Sequence, residues 1–401
     1  MFTIEGKHGT AACYATNIED EAVEQIRVML DMPFAEGANT AIMPDAHFGK
    51  GCTIGTTMKV TDKAVPNLVG VDIGCGMLTA DLGRKSINLP EFDDACHQVP
   101  SGSRVWEGRR ERFGLEELRC YRSLKDTKRI GRSLGSLGGG NHFIEIDRAS
   151  DGMQRLVIHT GSRNLGLQVA THYQQLAIDL HQGKEDLFEK RQTLIDSYKA
   201  QGRRKEIQAA LKELDDGFES RPLDAPPDLC WLYGTYLDDY LHDVAICQNF
   251  AMRNRERILI ELLSLTGLDA SSVFHTVHNY IDTGEMILRK GAIAAHEGEK
   301  VLIPLNMRDG SIIAVGKGSE EWNCSAPHGA GRVLSRTNAK ATLSMDDYRT
   351  AMEGIYSTSV KESTLDEAPA AYKPIEDIIG PIAEAVDILD VMKPIYNFKA
   401  S

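Results

Sequence analysis

The stretch AVPNLVGVDIGCGMLTADL, residues 64–82, alternates short apolar runs with glycine-rich turns. Runs of this length bounded by glycine and proline predict strands joined by tight turns. Asp72 and Cys75 stand at the turn between two runs, where a side chain can face a cleft. The same pattern precedes it in TAIMPDAHFGKGCTIGTTM, residues 40–58. The first part of the chain is therefore predicted to present polar atoms where strands end.

A second cluster of the same character predicts that the strands continue in the middle of the chain. It consists of SLGSLGGGNHFIEID, residues 133–147, followed by RLVIHTGSRNLG, residues 155–166. Glycines in such places allow a backbone to approach another group closely. Strand-like patterning returns in VFHTVHNYIDTGEMILRKGAIAAHEGEKVLIPL, residues 273–305. The tail, residues 374–398, predicts a helix and a final short extended segment.

Helical spacing interrupts the strands in two places. Residues 185–216 are charged and poor in glycine, and the proline-rich RPLDAPPD follows them, so we predict an exposed helical insertion over residues 183–226. Residues 236–265 form a longer and more apolar helical stretch that is expected to pack against the sheets. Since no repeat or low-complexity linker is visible, we predict one α+β domain over residues 1–401, with central mixed and antiparallel sheets surrounded by helices.

Composition indicates a soluble globular protein. Apolar residues make up 42% of the 401 residues and charged residues 26%. No stretch approaches the roughly 18 apolar residues of a spanning helix, and the N-terminus lacks the pattern of a signal peptide, so we expect a cytoplasmic protein without a membrane partner. The eight cysteines show no CxxC pair and are expected to be thiols, among which an exceptional one is a candidate ligand or nucleophile.

The formal net charge of −13 argues against a protein coated with sequence-independent nucleic-acid binding surface. It does not exclude a local basic groove. Residues 104–132 carry ten Lys or Arg against five acidic residues, which reverses the sign of the chain as a whole. This segment is either a track for phosphate groups or a solvated helix face, and the sequence leaves both interpretations open.

A metal site is predicted from Asp72 and Cys75 together with His142, His159 and His278. Each stands at the end of an apolar run beside glycine or a small polar residue. Five such side chains suffice for two metal ions, and a mixture of carboxylate, thiolate and imidazole suits zinc, manganese or iron better than calcium or magnesium. Taken singly, each histidine is more often a hydrogen-bonded core group and Cys75 a small buried hydrophobe. Their joint occurrence favours the metal site.

His328 is the candidate nucleophile. It lies in NCSAPHGAGRVLSR, where small neighbours leave an imidazole accessible. A histidine can attack phosphorus and hold a phosphoramidate if cations neutralise the phosphate oxygens. The alternative is a surface histidine in a glycine-rich turn. Residues 138–140 and 161–163 offer backbone amides and a guanidinium for phosphate, but no P-loop pattern GxxxxGK[ST] and no GxSxG elbow occurs.

Taken together, the motifs resemble those of the RtcB RNA ligases, in the order of that family and over nearly the whole chain. They are PDAHFGKG (44–51), GVDIGCGM (70–77), GGGNHFIEI (138–146), HTGSRNLG (159–166), HNY (278–280), RKGA (289–292) and HGAGRVLSR (328–336). The resemblance implies an enzyme that uses GTP and two Mn²⁺ ions to join an RNA 3′-phosphate or 2′,3′-cyclic phosphate to a 5′-hydroxyl. It implies an RNA(3′)pp(5′)G intermediate and a role in tRNA splicing or RNA repair.

The family's ligands map onto Cys75 as the bridge between two ions, with His159 and His278 completing one site and Asp72 and His142 the other. By the same resemblance, His328 attacks the α-phosphate of GTP. Glu145 would accept from guanine N1 and N2, Lys399 would donate to O6, and Phe143 and Tyr372 would wall the pocket. The nucleotide-binding residues so implied are Asn141, His142, Phe143, Glu145, His278, Asn279, Pro304, Asn306, Met307, Ser311, His328, Gly329, Ala330, Gly331, Tyr372 and Lys399.

Contacts to RNA are expected at Asp45, Arg163 and Arg332, and an archease-like activator is an expected partner. One departure from the family concerns the nucleotide: where many members read IPGSMG, this chain reads IPLNMRDGS, so Leu305 and Asn306 replace a glycine and a serine. The departure leaves two alternatives open, a metal-dependent phosphoesterase and a specialised paralogue without efficient guanylylation. A non-catalytic RNA-binding relative is disfavoured because all five ligands and His328 are retained.

Overall fold

The computed structural model describes residues 1–49 and 51–399. Lys50 of the PDAHFGKG motif and residues 400–401 of the predicted domain lie outside the described residues. The described strands are β1 Phe2–Glu5, β2 Thr10–Cys13, β3 Thr40–His47, β4 Ile54–Lys59, β5 Lys63–Ala64, β6 Gly76–Gly83, β7 Phe143–Arg148, β8 Gln154–Thr160, β9 Leu232–Tyr233, β10 Val273–Val277, β11 Asn279–Asp282, β12 Ile287–Lys290, β13 Ala292–Ala294, β14 Lys300–Asn306, β15 Gly310–Gly316, β16 Ser325–Pro327 and β17 Val386–Lys399.

The described α-helices are α1 Asp20–Leu30, α2 Leu89–Gln98, α3 Thr127–Ser133, α4 Arg163–His181, α5 Glu185–Ala200, α6 Ile207–Asp216, α7 Gly234–Thr266, α8 Arg336–Thr342, α9 Met345–Ala351 and α10 Glu376–Ile382. Local chemistry explains several of their ends. Asp20 and Glu21 in the first turn of α1 and Arg27 in its last turn complement the helix dipole. Helix α7 ends at Thr266 and is capped by Gly267, whose φ of +65° is the left-handed conformation.

Two large sheets form the centre of the fold. A six-stranded sheet has the order β1-β2-β3-β4-β12-β11, in which only β2 and β3 pair in parallel among the described strands. A seven-stranded sheet has the order β10-β6-β8-β7-β17-β15-β14 and is antiparallel throughout its described pairs. The predicted α+β class, with mixed and antiparallel sheets among helices, is confirmed.

The seven-stranded sheet separates a helix-covered face from the face that carries the site. Ile144 and Ile146 of β7 point, with Leu156 and Ile158 of β8, into the apolar cluster that α2 and α7 cover. Because side chains alternate along a strand, Phe143 and Glu145 of β7 lie on the opposite face. Direct cross-strand partners share a face, so His159 opposite Phe143 lies there too. Lys399 and Asn397 of β17, which oppose Phe143 and Glu145, complete this face.

Helices α5 and α6 occupy the charged stretch that the sequence predicts to be helical. Leu187 is the only residue of α5 whose side chain is buried, and α6 buries none. Arg191 of α5 pairs with Asp215 of α6 at 2.9 Å, which joins the two helices. The domain bounds 1–401 and the bounds 183–226 of the insertion stay predictions.

The C-terminal segment differs from its prediction. Helix α10 is present, but the extended segment after it is a strand of fourteen residues, β17. It lies inside the seven-stranded sheet and pairs with β15 through its first half and with β7 through its second half. Pro394, a residue that cannot donate to a ladder, falls at a register shift within the pairing with β7. The sequence suggests a short segment because Pro394 and Lys393 break its alternation.

None of the helices built from the described residues combines the length and the apolar character needed to cross a membrane.

Candidate metal centre and nucleotide cavity

The predicted metal ligands meet where the two large sheets join. His278 is the single residue between β10 of the seven-stranded sheet and β11 of the six-stranded sheet. Its backbone N–H donates to the carbonyl of Cys75 at 2.9 Å, and Gly74 N–H donates to the carbonyl of Asn279 at 2.6 Å. These bonds fasten the Gly74–Cys75 turn, which leads into β6, against the crossing between the sheets.

The donor atoms of all five predicted ligands form one continuous cluster. Cys75 Sγ lies 3.5 Å from His142 Nε2 and 3.3 Å from His159 Nε2. His159 Nε2 lies 3.4 Å from His278 Nε2, and Asp72 Oδ2 lies 3.0 Å from His142 Nε2. The ligand atoms of Cys75, His142 and His159 all lie within 4.8 Å of one another. Donors from four separate segments of the chain therefore converge on one small volume.

The hydrogen bonds around His159 show that this convergence suits a cation. His159 Nδ1 donates to the carbonyl oxygen of Asn141 at 3.2 Å, and a carbonyl can only accept. Nδ1 therefore carries the proton of the neutral ring, so Nε2 turns a lone pair toward Cys75 Sγ and His278 Nε2. Such a backbone bond to the outer nitrogen is how metal-binding histidines are oriented. The residues present thus fit a metal ion bound through nitrogen, sulfur and carboxylate.

Burial favours the neutral form of the histidine and cysteine ligands. Burial lowers the pKa values of His159 and His278 well below the usual range of histidine, and each is lowered further by a neighbouring imidazole. Both rings are therefore neutral and able to coordinate. Burial, followed by the charge of Asp72, raises the pKa of the Cys75 thiol well above its usual range. Metal binding at Cys75 must accordingly displace a proton.

Asp72 is held in place by the loop before α4. Its Oδ1 accepts from the backbone N–H of Ser162 at 3.0 Å. A Cβ added to Gly161 would stand 2.2 Å from the same oxygen, so only glycine leaves room for the carboxylate. Burial, the largest single influence, would raise the pKa of Asp72, but the hydrogen bond and charge of His142 together with Cys75 and Arg163 outweigh burial, and the pKa is lowered. Asp72 is thus ionised and faces His142.

His328 lies beside the metal cluster at the end of β16. Its ring centroid lies 5.1 Å from that of His278. Nδ1 of His328 lies 2.6 Å from Oδ2 of Asp45, which is fully buried in β3. Because a carboxylate oxygen accepts, Nδ1 carries the proton and Nε2 presents the lone pair. Gly331, at φ +73°, lets this loop approach β3, since a Cβ there would lie 2.4 Å from the Asp45 carbonyl oxygen.

A cavity opens from His328 and His159 onto the site face of the seven-stranded sheet. The predicted nucleotide-binding residues that line it are Asn141, Phe143, Glu145, His278, Pro304, Asn306, Met307, His328, Gly329, Ala330, Gly331, Tyr372 and Lys399. Leu305, Arg332, Arg336 and Asn397 also line it. The cavity therefore adjoins both the metal cluster and the face of β7 and β17.

Glu145 brings a carboxyl group to the lining of this cavity, next to Asn397. Asn397 Nδ2 donates to Glu145 Oε2 at 2.5 Å. Asp147 lies two residues along the same face of β7, and both carboxyl groups are buried. Burial, and then the neighbouring charge of Asp147, raises the pKa of Glu145 well above its usual range, while burial raises the pKa of Asp147 to about 6. Protons are therefore retained in this pair at a pH where an exposed carboxyl has lost its proton.

A second set of charges fixes Lys399 at the rim. Lys399 Nζ lies 2.9 Å from Glu367 Oε2 and 4.9 Å from the centre of the Phe143 ring. Glu367 also accepts from the Tyr372 hydroxyl at 2.7 Å and pairs with Arg336 at 2.9 Å. Burial would raise the pKa of Glu367, but the charges of Lys399 and Arg336, together with the hydrogen bonds from Tyr372 and Lys399, outweigh burial and lower the pKa to about 2. Glu367 is thus a permanent anion that holds Lys399 and Tyr372 in position.

Three predicted nucleotide-binding residues, His142, Asn279 and Ser311, do not line the cavity itself. His142 belongs to the metal cluster. Asn279 uses its Oδ1 to accept from Gly291 N–H at 3.0 Å, and Ser311 is fully buried within β15. The two departures from the family pattern both reach the cavity wall. Leu305 is buried there, and the amide of Asn306 donates to Asp309 at 2.8 Å.

The predicted RNA contacts fall in three places. Asp45 contacts His328, as described above, and Arg332 lines the cavity beside Tyr372. Arg163 lies behind the metal cluster, where Nη2 donates to the Gly102 carbonyl at 2.8 Å. Its φ of +58° is rare for a side chain other than glycine or asparagine. The basic segment 104–132 begins two residues after Gly102 and consists mainly of irregular chain and single turns, with α3 at its end.

Sequence reasoning missed three groups that shape the site: the pairing of Asp45 with His328, and the roles of Glu367 and Asn397. Asp45 and His328 are 283 positions apart, and nothing local connects them. Glu367 stands in an ordinary polar turn, ESTLDE, that gives no signal of a buried anion. Asn397 could have been found, because it lies two residues before Lys399 and therefore shares its face of a strand.

Comparison with known proteins agrees with this geometry. The chain matches the family model described as tRNA-splicing ligase RtcB over residues 25–105 and 107–400. It is 32% identical to the RNA-splicing ligase RtcB of Escherichia coli strain K12, with 95% of each chain covered. It is 27% identical to the tRNA-splicing ligase RtcB of Aeropyrum pernix, with 94% of this chain and 92% of the relative covered.

The family match covers the five converging ligands, the His328 loop and every strand of the two large sheets except β1 and β2, so it includes the site and not the scaffold alone. The relatives are named as ligases that act on RNA. The chain belongs to the RtcB family of RNA-splicing ligases, and it is an RNA ligase.

Proposed function

We propose that this ligase is GTP-dependent and joins RNA 3′-phosphate or 2′,3′-cyclic phosphate ends to 5′-hydroxyl ends through a guanylylated His328. One observation carries the proposal. The Asp45 carboxylate accepts a hydrogen bond from Nδ1–H of His328, which leaves the lone pair of Nε2 as a nucleophile at the junction of the metal cluster and the cavity. Nucleophile, orienting carboxylate and cation site are the parts that phosphoryl transfer to a histidine requires.

The chemistry at His328 balances in three steps. Nε2 attacks the α-phosphorus of GTP, so an N–P bond forms, a P–O bond breaks and pyrophosphate leaves, while the Nδ1 proton stays against Asp45. An oxygen of the RNA 3′-phosphate then attacks the same phosphorus, and the N–P bond pair returns to Nε2, giving RNA(3′)pp(5′)G. Finally the 5′-hydroxyl attacks the RNA 3′-phosphorus, its proton is lost, and GMP leaves. A 2′,3′-cyclic phosphate is first opened by water.

The five ligands would hold the two Mn²⁺ ions that we propose, with Cys75 between them because its sulfur lies within reach of both His142 and His159. Bound ions would neutralise phosphate oxygens and favour loss of the proton from the attacking hydroxyl. Asp72 would serve the ion nearer His142, and His278 the ion nearer His159.

The cavity lining supports a preference for guanine. A carboxylate at Glu145 would accept from both N1–H and N2–H, a donor pair that adenine lacks. Lys399, held by Glu367, would donate to guanine O6, and Phe143 and Tyr372 would flank the base. Because burial raises the pKa of Glu145, binding of these two donors would favour release of its proton. We further propose a cytoplasmic role in tRNA splicing or RNA repair, with an archease-like activator as partner.

The test is covalent labelling with α-labelled GTP in the presence of Mn²⁺. We expect acid-labile, alkali-stable label on the wild type and none on His328→Ala. Cys75→Ala should also lack label, whereas Cys247→Ala, which removes a buried thiol outside the cluster, should keep it. Absence of label on a wild type that binds Mn²⁺ and is supplied with activator would refute the proposal. Release of phosphate from RNA ends without label would instead indicate a phosphoesterase.

A further inference from the structure

A groove beside the metal centre has no role in the guanylylation chemistry. It is lined by Gln98, Pro100, Arg104, Val105, Trp106, Glu107, Gly108, Arg109 and Arg110. Three of these side chains are cationic and Glu107 is the one anionic side chain in the lining, in a chain whose net charge is −13. The local sign is therefore opposite to that of the protein as a whole, which favours a negatively charged ligand.

Two of the three cations of the groove form no ion pair within the described residues. Within residues 1–49 and 51–399, Arg104 and Arg109 have no carboxylate oxygen within 4.0 Å, and both are exposed. Arg112, a few residues on, instead pairs with Glu116 at 3.4 Å, and Arg110 pairs with Glu261 at 3.3 Å. Exposed guanidinium groups without a carboxylate partner are available to phosphate oxygens.

The groove also offers a fixed aromatic surface. The indole N–H of Trp106 donates to the Gly135 carbonyl at 2.9 Å, which anchors the ring. The guanidinium of Arg110 lies 3.8 Å from the centre of that ring and forms a stack with it. The Arg110 side chain is 39% exposed, so its outer face can receive a further planar group. Nucleic-acid bases stack on aromatic rings and on arginine planes in this way.

The groove is joined to the metal centre by the backbone between them. Gly102 N–H donates to the Gly138 carbonyl at 2.7 Å, and the Gly102 carbonyl accepts from Arg163. Gly138 in turn adjoins the metal ligand His142, since a Cβ on it would lie 2.6 Å from His142 Nδ1. Trp106 is four residues from Gly102, a reach of at most about 14 Å. An RNA strand whose end reacts at His328 and the metal cluster can therefore extend into the groove.

We propose that this groove binds a nucleotide of the single-stranded RNA substrate a short way from the reacting end. Its base stacks on the Trp106–Arg110 pair, and its phosphates are held by Arg104 and Arg109. The inference rests on the proposed function, because it takes RNA as the substrate. The chemistry that recognises the ligand is a base next to a phosphodiester, which distinguishes it from an acidic protein surface.

Tryptophan fluorescence gives a direct test, because Trp106 is half-buried while Trp231 and Trp322, the other two tryptophans, are buried. Single-stranded RNA with a 3′-phosphate should quench the emission of the wild type in a saturable way. Trp106→Phe should abolish the quenching and keep most of the affinity measured by anisotropy. Trp106→Ala should weaken binding by about ten-fold or more, as expected for loss of one stacked base.

The charge contribution is tested by Arg104→Gln/Arg109→Gln. The slope of log affinity against log salt concentration should fall by about 1.4, since each phosphate contact to a single strand contributes about 0.7. Arg112→Gln, on the same segment but paired and outside the groove, should match the wild type. All of these variants should guanylylate His328 at the wild-type rate. Guanylylation thus tests the proposed function separately from RNA binding by the groove. The groove proposal is refuted if its variants bind RNA like the wild type while labelling of His328 is intact.

Two further outcomes would overturn the inference. Polyphosphate that quenches Trp106 as strongly as RNA would show that no base is stacked. An acidic polypeptide that binds more tightly than RNA, with the same dependence on Trp106, would show that the groove is a protein-docking surface. If the groove variants behave as expected but the wild type never accepts GMP, the groove stands as an RNA site and the guanylylation proposal fails.

Discussion

Replacing Asp45 by asparagine is expected to slow guanylylation of His328 by about 1,000-fold. Asp45 is fully buried and its Oδ2 lies 2.6 Å from His328 Nδ1. When Nε2 bonds to phosphorus, positive charge develops on the ring next to the carboxylate. Two unit charges about 4 Å apart interact by about 4 kcal/mol at an effective dielectric constant near 20. An energy of this size corresponds to about three powers of ten in rate.

Neither orientation of the asparagine amide is expected to restore the guanylylation rate of Asp45→Asn. If its amide nitrogen faces His328, it donates to Nδ1, which moves the ring proton to Nε2 and removes the nucleophilic lone pair. If its oxygen faces His328, the buried amide nitrogen takes the place of Asp45 Oδ1, which has no hydrogen-bond partner among the described residues. That arrangement costs about 1–3 kcal/mol. Neither orientation supplies the negative charge.

The assay is single-turnover labelling with α-labelled GTP at saturating nucleotide and Mn²⁺. Asp93→Asn is the matched control, because Asp93 is also a buried carboxylate but bonds Tyr396 and Thr358 away from His328. The thermal shift of Asp45→Asn on adding Mn²⁺ should equal that of the wild type, since Asp45 is not among the converging ligands. A labelling rate within about five-fold of the wild type, with unchanged metal binding, would refute the role assigned to Asp45.

Three further predictions concern the metal, the buried carboxyl pair and the base. Mn²⁺ should raise the Tm of the wild type and leave the Tm of Cys75→Ser nearly unchanged. Cys247→Ser, which replaces a buried thiol elsewhere, should respond like the wild type, and an equal rise for Cys75→Ser would remove Cys75 from the site. Because burial raises the pKa of Asp147 to about 6, its contribution to stability is fully present below about pH 4 and is lost as the pH rises through about 6. Urea denaturation of Asp147→Asn should therefore show a smaller fall in the free energy of unfolding between pH 4 and 7 than the wild type, with exposed Asp387→Asn as control. Glu145→Gln should reduce the preference for GTP over ITP, which lacks the N2 donors, and an unchanged ratio of kcat/KM values would exclude Glu145 as the group that reads guanine.

Much of the scaffold follows from local pattern. The alternation in FIEID of β7 places Ile144 and Ile146 on one face and Phe143 and Glu145 on the other, and the structure shows both faces as the period of two requires. The charged stretch 185–216 is helical because its spacing and composition suit an exposed helix. These features depend on residues close in sequence, so the sequence alone could predict them.

The C-terminal strand shows where local pattern fails. Val386–Lys399 does not alternate cleanly, and Lys393 and Pro394 interrupt it, so the sequence indicates only a short extended segment. In the fold it becomes one strand of fourteen residues because β7 and β15 pair with its two halves in different registers. The partners that extend the strand lie far away in sequence, and their register is fixed by packing of the sheet.

For the candidate site, the sequence by itself determined which residue types could serve: Asp72, Cys75 and three histidines at strand ends, and His328 among small residues. Only the tertiary structure decided that these donors meet, because His278 is the single residue that connects two sheets. The contacts of Asp45 with His328 and of Glu367 with Lys399 are likewise visible in the tertiary structure alone. The physical reason is that side-chain type and strand period are local properties, whereas the distance between donors depends on sheet register and on how the two sheets pack.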